Sequence, residues 1–471
     1  LHENCTAEKL PLMKTSAARN LAAAILFWMA AYELNAAEAL WKAGVARANI
    51  TPTQPLWLAG YASRDQPADG KVMELWLKVL ALEDGGGHRA IILTSDTLGI
   101  PQSIYQHTCA ALKEKYNLNP HQIMLSASHT HCGPVLRGAL YDMYPLDDKQ
   151  RELIEKYSAE LEAKIVETVG KSLEDLSPAR LSAGQGVTGF AVNRRNNPEG
   201  SVSKLIAEGT LKGPVDHAVP VLAVSNSDGK LRALLFGYAC HNTVMAFNKW
   251  SGDYAGFAQI SLEKSHTNLT AMFFMGCGGD QNPLPRRQLE LAERYGNMLA
   301  AAVEEVLLTP LPALSPELKT TMEMVPLRFG EAPTEAELAK MTDDKSASAR
   351  QWARRMLGEL KAGRPFIRTY LYPMQAWRLG KSQLLLTLGG EPVVDYALRF
   401  KRQFGSTTWV AGYCNDVMTY IPSLRVLKEG GYEGGGAMIP YGQPTFRWAE
   451  DVDELISTAA DRLVAQVRDG K

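Results

Sequence analysis

The sequence has 471 residues, 46% of them hydrophobic, with 50 Lys+Arg against 51 Asp+Glu, so it can bury one large core or two ordinary ones. Its near-zero net charge leaves no electrostatic footprint for nucleic acid. No Gly-x-Ser-x-Gly elbow occurs, no Gly-x-Gly-x-x-Gly follows the first strand and no Walker loop is present, which argues against serine-elbow hydrolysis and nucleotide chemistry.

The first forty residues read as a leader. Met13-Lys14 and Arg19 supply a positive start, Leu21–Ala31 is an eleven-residue apolar run, and Ala37-Glu38-Ala39 offers a small-x-small cleavage site before Leu40. A bilayer-spanning helix needs about 20 residues, so a secretory signal is expected, with residues 1–12 lying ahead of an initiator Met13. The expected organisation is a cleaved segment 1–39 and a single catalytic domain 40–471, in a secreted or periplasmic compartment. Removing 1–39 takes away three basic and four acidic residues and leaves zero formal charge. Five cysteines remain, Cys109, Cys132, Cys240, Cys277 and Cys414; four sit beside polar motifs, and the odd count predicts small buried thiols rather than a disulfide framework.

From Leu40 onward strands alternate with helices. A β-branched-rich strand over 89–96, a helix over Gln102–Tyr116 and a strand over 121–128 make a β-α-β unit, expected to be parallel. A long amphipathic helix is expected over 150–173, with Ile154, Tyr157, Leu161, Ile165 and Val169 on one face. Strands follow at 179–184, 219–225, 231–239 and 270–275, then a helix over 288–307. A charged helical segment over 331–362 is expected on the outside, followed by strands near 382–388 and 408–413 and a closing helix over 449–468. The fold class is α/β, with mixed, largely parallel sheets flanked by helices and a metal site beyond strand carboxyl ends.

Polar residues punctuate these strands at their ends. The apolar run Ile123-Met124-Leu125 leads into Ser128-His129-Thr130-His131-Cys132, and an extended His-x-His pair points both rings to one face. His241 follows Leu234-Leu235-Phe236, Gly278-Gly279-Asp280-Gln281-Asn282 follows Met272-Phe273-Phe274-Met275, and Gly389-Gly390-Glu391 follows Leu384-Leu385-Leu386. Zinc takes three or four N/O ligands at about 2.0–2.2 Å, and catalytic sites leave one position open. His129, His241 and Glu391 form a His₂Glu candidate, while Asp96, Asp253 and Asp280 are loose candidates for a second metal.

The collinear order of Gly44–Pro52, Thr94-Ser95-Asp96, Ser128–Pro134, Asn193-Arg194, His241, Gly278-Gly279-Asp280, Glu391 and Gly412–Asp416 resembles the catalytic domain of neutral/alkaline (non-lysosomal) ceramidases. The resemblance implies one Zn²⁺ held by His129, His241, Glu391 and Tyr420, and cleavage of the amide of ceramide or a related N-acyl lipid, with possible contact with a membrane surface. It implies catalytic roles for His131, Arg194 and Tyr432 and places Gly279 and Asp280 on the substrate side. Where the family carries Gly-Asp-x-Ser-Pro, this chain reads Gly279-Asp280-Gln281-Asn282-Pro283; Asn282 can serve an oxyanion but cannot form an acyl intermediate. The sequence also ends soon after the closing helix, without the family's C-terminal immunoglobulin-like domain. Two alternatives follow from these departures: a metal-dependent hydrolase of an ester or non-lipid acyl substrate, and a non-catalytic binding protein of the same fold.

Overall fold

The strand that leads into the His-x-His segment is buried along its whole length, so both its faces must be covered. The structure, a computed structural model, describes residues 40–469; the expected leader lies outside the described residues. In chain order the larger elements are β1 (Trp41–Asn49), β2 (Trp76–Glu83), β3 (Arg89–Ser95), α1 (Gln102–Tyr116), β4 (Ile123–Ala127), α2 (Asp148–Glu174), β5 (Ser177–Val187), β6 (Ala191–Asn193), β7 (Ala218–Asn226) and β8 (Leu231–Tyr238). These are followed by α3 (Asp253–Ser265), β9 (Thr270–Met275), β10 (Gln281–Pro283), α4 (Leu289–Leu307), β11 (Leu318–Arg328), α5 (Ala347–Lys361), β12 (Thr369–Leu379) and β13 (Gln383–Leu388). The chain closes with β14 (Glu391–Pro392), α6 (Val394–Phe404), β15 (Trp409–Ala411), β16 (Tyr420–Ile421) and α7 (Val452–Asp469).

The large sheet runs β9-β8-β7-β5-β1-β2-β3-β4, and a second sheet runs β11-β12-β13-β15. Successive side chains alternate between the faces of the large sheet. Val79, Ala81, Ile91, Leu93 and Phe236 pack under helices α1 to α4, against Ile104, Leu161, Leu262 and Leu299. Leu80, Leu82, Ile92, Met124 and Leu235 instead meet Trp377, Leu385 and Trp409 of the second sheet. The outer face of that sheet, Met374, Leu384 and Leu386, is covered by Tyr396 and Phe400 of α6 and Ile456 and Leu463 of α7. The result is a helix, sheet, sheet, helix sandwich, one compact unit from Trp41 onward. A one-residue slip in β2 or β3 would exchange the two buried faces, so the packing pins the register.

Mixed sheets flanked by helices match the expected class, but most pairings are antiparallel rather than parallel. β1–β2, β1–β5, β2–β3, β5–β7, β7–β8, β11–β12 and β12–β13 are antiparallel. Short turns containing Gly86-Gly87 and Asp228-Gly229 reverse the chain between β2 and β3 and between β7 and β8, leaving no room for a crossover. Within the two larger sheets the parallel pairs are β3–β4, joined through α1 as the sequence predicts, β8–β9 and β13–β15. Each of these pairs runs at its carboxyl end into a polar motif. Bridges Ser126↔Cys414 and Gly276↔Ala411 then bring both edge strands of the large sheet to the end of β15.

The charged 331–362 segment is only partly external. Trp352, Ala353 and Met356 of α5 are buried with Leu338 against Ile439 and Phe446, and Trp352 Nε1 donates to the Gln443 carbonyl at 2.8 Å. α5 thereby braces the irregular stretch that carries Tyr441. All five described cysteines are buried and free, as the sequence predicts.

Candidate metal centre

β4 stops at Ala127, and the histidine pair that follows is not an extended strand. His129 has φ 57°, a left-handed conformation that costs a non-glycine residue about 1–3 kcal/mol and is kept only where the surroundings impose it. Here Nδ1 of His129 lies 2.7 Å from the Leu98 carbonyl, and Thr130 bridges Asn242 beside His241. The His129 and His131 rings converge through this turn, with Nε2 atoms 3.2 Å apart, rather than through strand alternation. His241 lies three residues past β8, its N–H donating to Gln281 O at 3.0 Å and its Nδ1 2.6 Å from Gly278 O. Glu391 in β14 sits opposite Tyr420 in β16.

Nδ1 of His129 and of His241 each face only a backbone carbonyl, so each carries its proton there and turns a bare Nε2 inward. Both Nε2 atoms lie 3.2 Å from Glu391 Oε2. All three side chains are fully buried. Three converging acceptors, met by the hydroxyls of Tyr420 and Tyr413, repel one another until a cation sits between them. A tetrahedral site with ligands at about 2.0 Å separates its donors by about 3.3 Å, so this set fits zinc. Tyr420 Oη, 2.9 Å from His241 Nε2, stands at a fourth position. Burial and the neighbouring Arg194 pull the His241 imidazole down to about 4, keeping it neutral and ready to ligate. Burial alone would raise Glu391, but the imidazoles of His129 and His241 hold its carboxyl well below the ordinary carboxylate range.

Nitrogens of His129, His131 and His241 also lie within 4.8 Å of one another, a second cluster able to hold a metal ion. The two sets differ in whether His131 or Glu391 belongs. Ligating histidines almost always donate their other ring N–H to a carbonyl or carboxylate. His131 Nδ1 has no hydrogen-bond partner and packs against Gly60, which favours Glu391 as the third ligand and leaves His131 beside it. Burial, reinforced by the His129 and His241 rings, holds His131 neutral, well below its ordinary value.

Arg194 organises the adjoining wall. Its Nη2 donates to Tyr420 Oη at 3.0 Å, Nη1 to Asn282 Oδ1 at 3.2 Å and Nε to Glu433 at 2.7 Å, while Arg195 holds the other Glu433 oxygen at 2.6 Å. Because Oδ1 of Asn282 accepts from Arg194, its Nδ2 is left to face the cavity. Tyr432, half-exposed, stands edge-on to Tyr420 with ring centroids 5.2 Å apart. Arg194, Asn282, Tyr432 and Glu433 line a cavity of about 480 Å³ together with Arg195, Glu199 and Glu429.

Other expected residues occupy different places. Asp280 is fully buried, its Oδ1 accepting from the Val394 N–H at the start of α6 and its Oδ2 from Asn193. A Cβ on Gly279 would stand 2.7 Å from Glu391 O, so glycine is needed for the close approach of the two chains. Neither residue lines that cavity, and the contacts of both in this fold are to neighbouring chain segments. Asp96 accepts from the Trp76 N–H, and Asp253 from the N–H groups of Val244, Met245 and Tyr254. These three acids are structural, and among the described residues none of them joins a cluster able to hold a metal ion. Conversely, Tyr441 Oη donates to Glu391 Oε1 and Tyr413 Oη to Glu391 Oε2 at 3.3 Å. Tyr413 sits inside the Gly412–Asp416 motif and Glu433 directly after Tyr432, so a sequence signal existed for both. Tyr441 lies in irregular chain and has none.

A family model described as neutral/alkaline non-lysosomal ceramidase, N-terminal, matches residues 41–282. The chain belongs to this family. A neutral ceramidase of Pseudomonas aeruginosa is 27% identical over 228 residues, 47% of this chain and 33% of that protein. Neutral ceramidase B of Dictyostelium discoideum is 26% identical over 220 residues, 44% of this chain and 29% of that one. The matched stretch thus spans about a third of the length of these curated relatives. A crystal structure of neutral ceramidase from Pseudomonas aeruginosa superimposes with a TM-score of 0.67 at 20% identity, covering 91% of this chain and 75% of that one. A ceramidase complexed with C2 superimposes with a TM-score of 0.66 at 20% identity, covering 90% and 76%. At such identity the structures show a shared ceramidase fold. The family match contains His129, His131, Arg194, His241 and Asn282, whereas Glu391, Tyr420 and Tyr432 lie beyond it. Among the described residues no helix is long and apolar enough to cross a membrane.

Proposed function

We propose that this chain is a zinc-dependent hydrolase of N-acyl amides, with ceramide or a related N-acyl lipid as the first substrate, exported by virtue of the leader pattern in residues 1–39. The observation that supports it is the proton-free convergence of His129 Nε2, His241 Nε2 and Glu391 Oε2. A zinc ion held by these three groups and Tyr420 would polarise the scissile carbonyl and lower the pKa of a water. The chain's own residues do the rest. Arg194 orients Tyr420 and Asn282 together, and the Asn282 amide N–H is free to donate to the carbonyl oxygen as it gains charge. His131, neutral and 3.2 Å from His129 Nε2, is placed to move a proton toward the leaving nitrogen, with Tyr432 closing the outer side. Glu433 holds Arg194 from behind, so the guanidinium fork keeps its aim.

Metal analysis of the protein as purified, followed by incubation with ceramides and other N-acyl amines, tests the proposal. The expected result is about one zinc per chain and amine release abolished by chelation, with His129→Ala and His241→Ala each losing tight metal binding. No amine release from any of these substrates by zinc-loaded protein refutes it.

One observation favours a second reading, hydrolysis of an ester or a non-lipid acyl substrate. The 480 Å³ cavity beside Tyr432 presents Arg195, Glu199, Glu429 and Glu433, and an alkyl chain there would strip these charges of water without replacing it. Strong turnover of short water-soluble esters, with no cleavage of N-acyl amines, distinguishes this reading.

A further inference from the structure

A second cavity, about 220 Å³, lies on the other side of Leu98 and Tyr441 and is lined by neither the three histidines nor Glu391. Its wall is largely apolar, formed by Leu98, Pro134, Leu136, Val417 and Met418, with one buried acid, Asp416. We propose that this cavity binds a short-chain primary ammonium ion, its alkyl tail against the apolar wall and its head on the Asp416 carboxylate.

Asp416 is 2% exposed, and both of its side-chain hydrogen bonds fall on one oxygen. Tyr370 Oη donates to Oδ2 at 2.5 Å and Gln102 Nε2 to the same atom at 3.2 Å. Oδ1 receives no donor among the described residues. The other charged side chain on the wall, Arg137, is already taken up by Glu162. A buried carboxylate with half its acceptor capacity unused and no counter-charge is costly. That cost shows in its acidity: burial pushes the Asp416 carboxyl up to about 7, against the two hydrogen bonds.

A primary ammonium supplies what is missing, a positive charge and up to three N–H donors. The size limits its tail. A cavity of about 150 Å³ lined by apolar side chains binds benzene, so 220 Å³ holds about nine heavy atoms, enough for hexylammonium and too few for a long-chain base. A carboxylate ligand would meet Asp416 with like charge, and a purely apolar one would leave Oδ1 unpaired.

Calorimetric titration of n-hexylammonium chloride into the full, zinc-loaded chain at pH 8 tests the site without any turnover. It is repeated after chelation, because an amine can also coordinate zinc. The expected result is saturable one-to-one binding that survives chelation and is at least tenfold tighter than that of n-hexanol. It weakens at least tenfold in Asp416→Asn and is lost in Ser103→Trp, which fills the cavity from its half-buried rim. If Asp416→Asn fails to fold, the Ser103→Trp and hexanol comparisons decide. Absence of saturable binding, loss of binding on chelation, or an affinity unchanged in Ser103→Trp overturns the assignment.

Discussion

Replacing Tyr441 by Phe removes one oxygen that no sequence pattern marks, and it separates the two candidate ligand sets. Tyr441 Oη donates to Glu391 Oε1, and the carboxylate is fully buried. The remaining phenol, Tyr413, reaches only Oε2, so Oε1 loses its donor. A hydrogen bond to a charged group contributes about 1.5–3 kcal/mol, and outer partners of metal ligands change affinity by about 10–100-fold. Both scales place the loss near 2 kcal/mol, or about 30-fold in zinc affinity. The ring still packs edge-on to Tyr420, with centroids 6.1 Å apart, so circular dichroism and zinc stoichiometry at saturation should match the parent. Competition with a chromogenic chelator at neutral pH measures the affinity. If Tyr441→Phe leaves it within about threefold, Glu391 is not a ligand and the three-imidazole cluster of His129, His131 and His241 takes its place.

Three further substitutions probe neighbouring steps. Gly60 has φ 102°, and a Cβ there would stand 2.4 Å from His131 Nδ1. Gly60→Ala should therefore displace the imidazole and cut amide turnover at least tenfold with zinc content unchanged, whereas loss of zinc would make His131 a ligand. Arg194→Lys cannot hold Tyr420, Asn282 and Glu433 with one ammonium; a fall of about 10²–10³ in kcat is expected, and a change confined to KM would argue against transition-state stabilisation. Asp416 titrates near 7 in the fold against an ordinary 3.8, so the folded chain binds the extra proton between those values. Its contribution is greatest at low pH and is lost as pH rises through 7, by at most about 4 kcal/mol. An asparagine side chain does not titrate, so in melts of metal-free protein the Tm of Asp416→Asn relative to the parent should climb from pH 5 to pH 8. A constant difference would show that the carboxyl is not raised.

Local pattern carried the reading wherever a segment's neighbours in sequence decide its state. The helix over 102–116 and the strands that flank it were legible because apolar residues recur at the right period and glycine or proline ends the runs. β11 and β12 were not, since Pro326 and Pro373 interrupt them, and Trp76–Glu83 has the Leu/Ala/Glu composition of a helix. Its strand state comes from pairing with β1 and β3 on either side.

For the site, the sequence by itself determined which residues stand at strand ends: His129, His241 and Glu391 each follow a run of apolar residues long enough to be a buried strand. Tertiary structure alone decided that these three ends meet, because parallel pairs from two different sheets deliver them across 262 residues of chain from His129 to Glu391. The proposed division of the histidines into ligands and a substrate-facing group likewise rests on tertiary contacts, on whether Nδ1 finds a backbone carbonyl, Leu98 for His129, Gly278 for His241 and none for His131. Those carbonyls lie far from their histidines in sequence, and hydrogen-bond partners brought together by packing leave no periodic trace for a sequence to display.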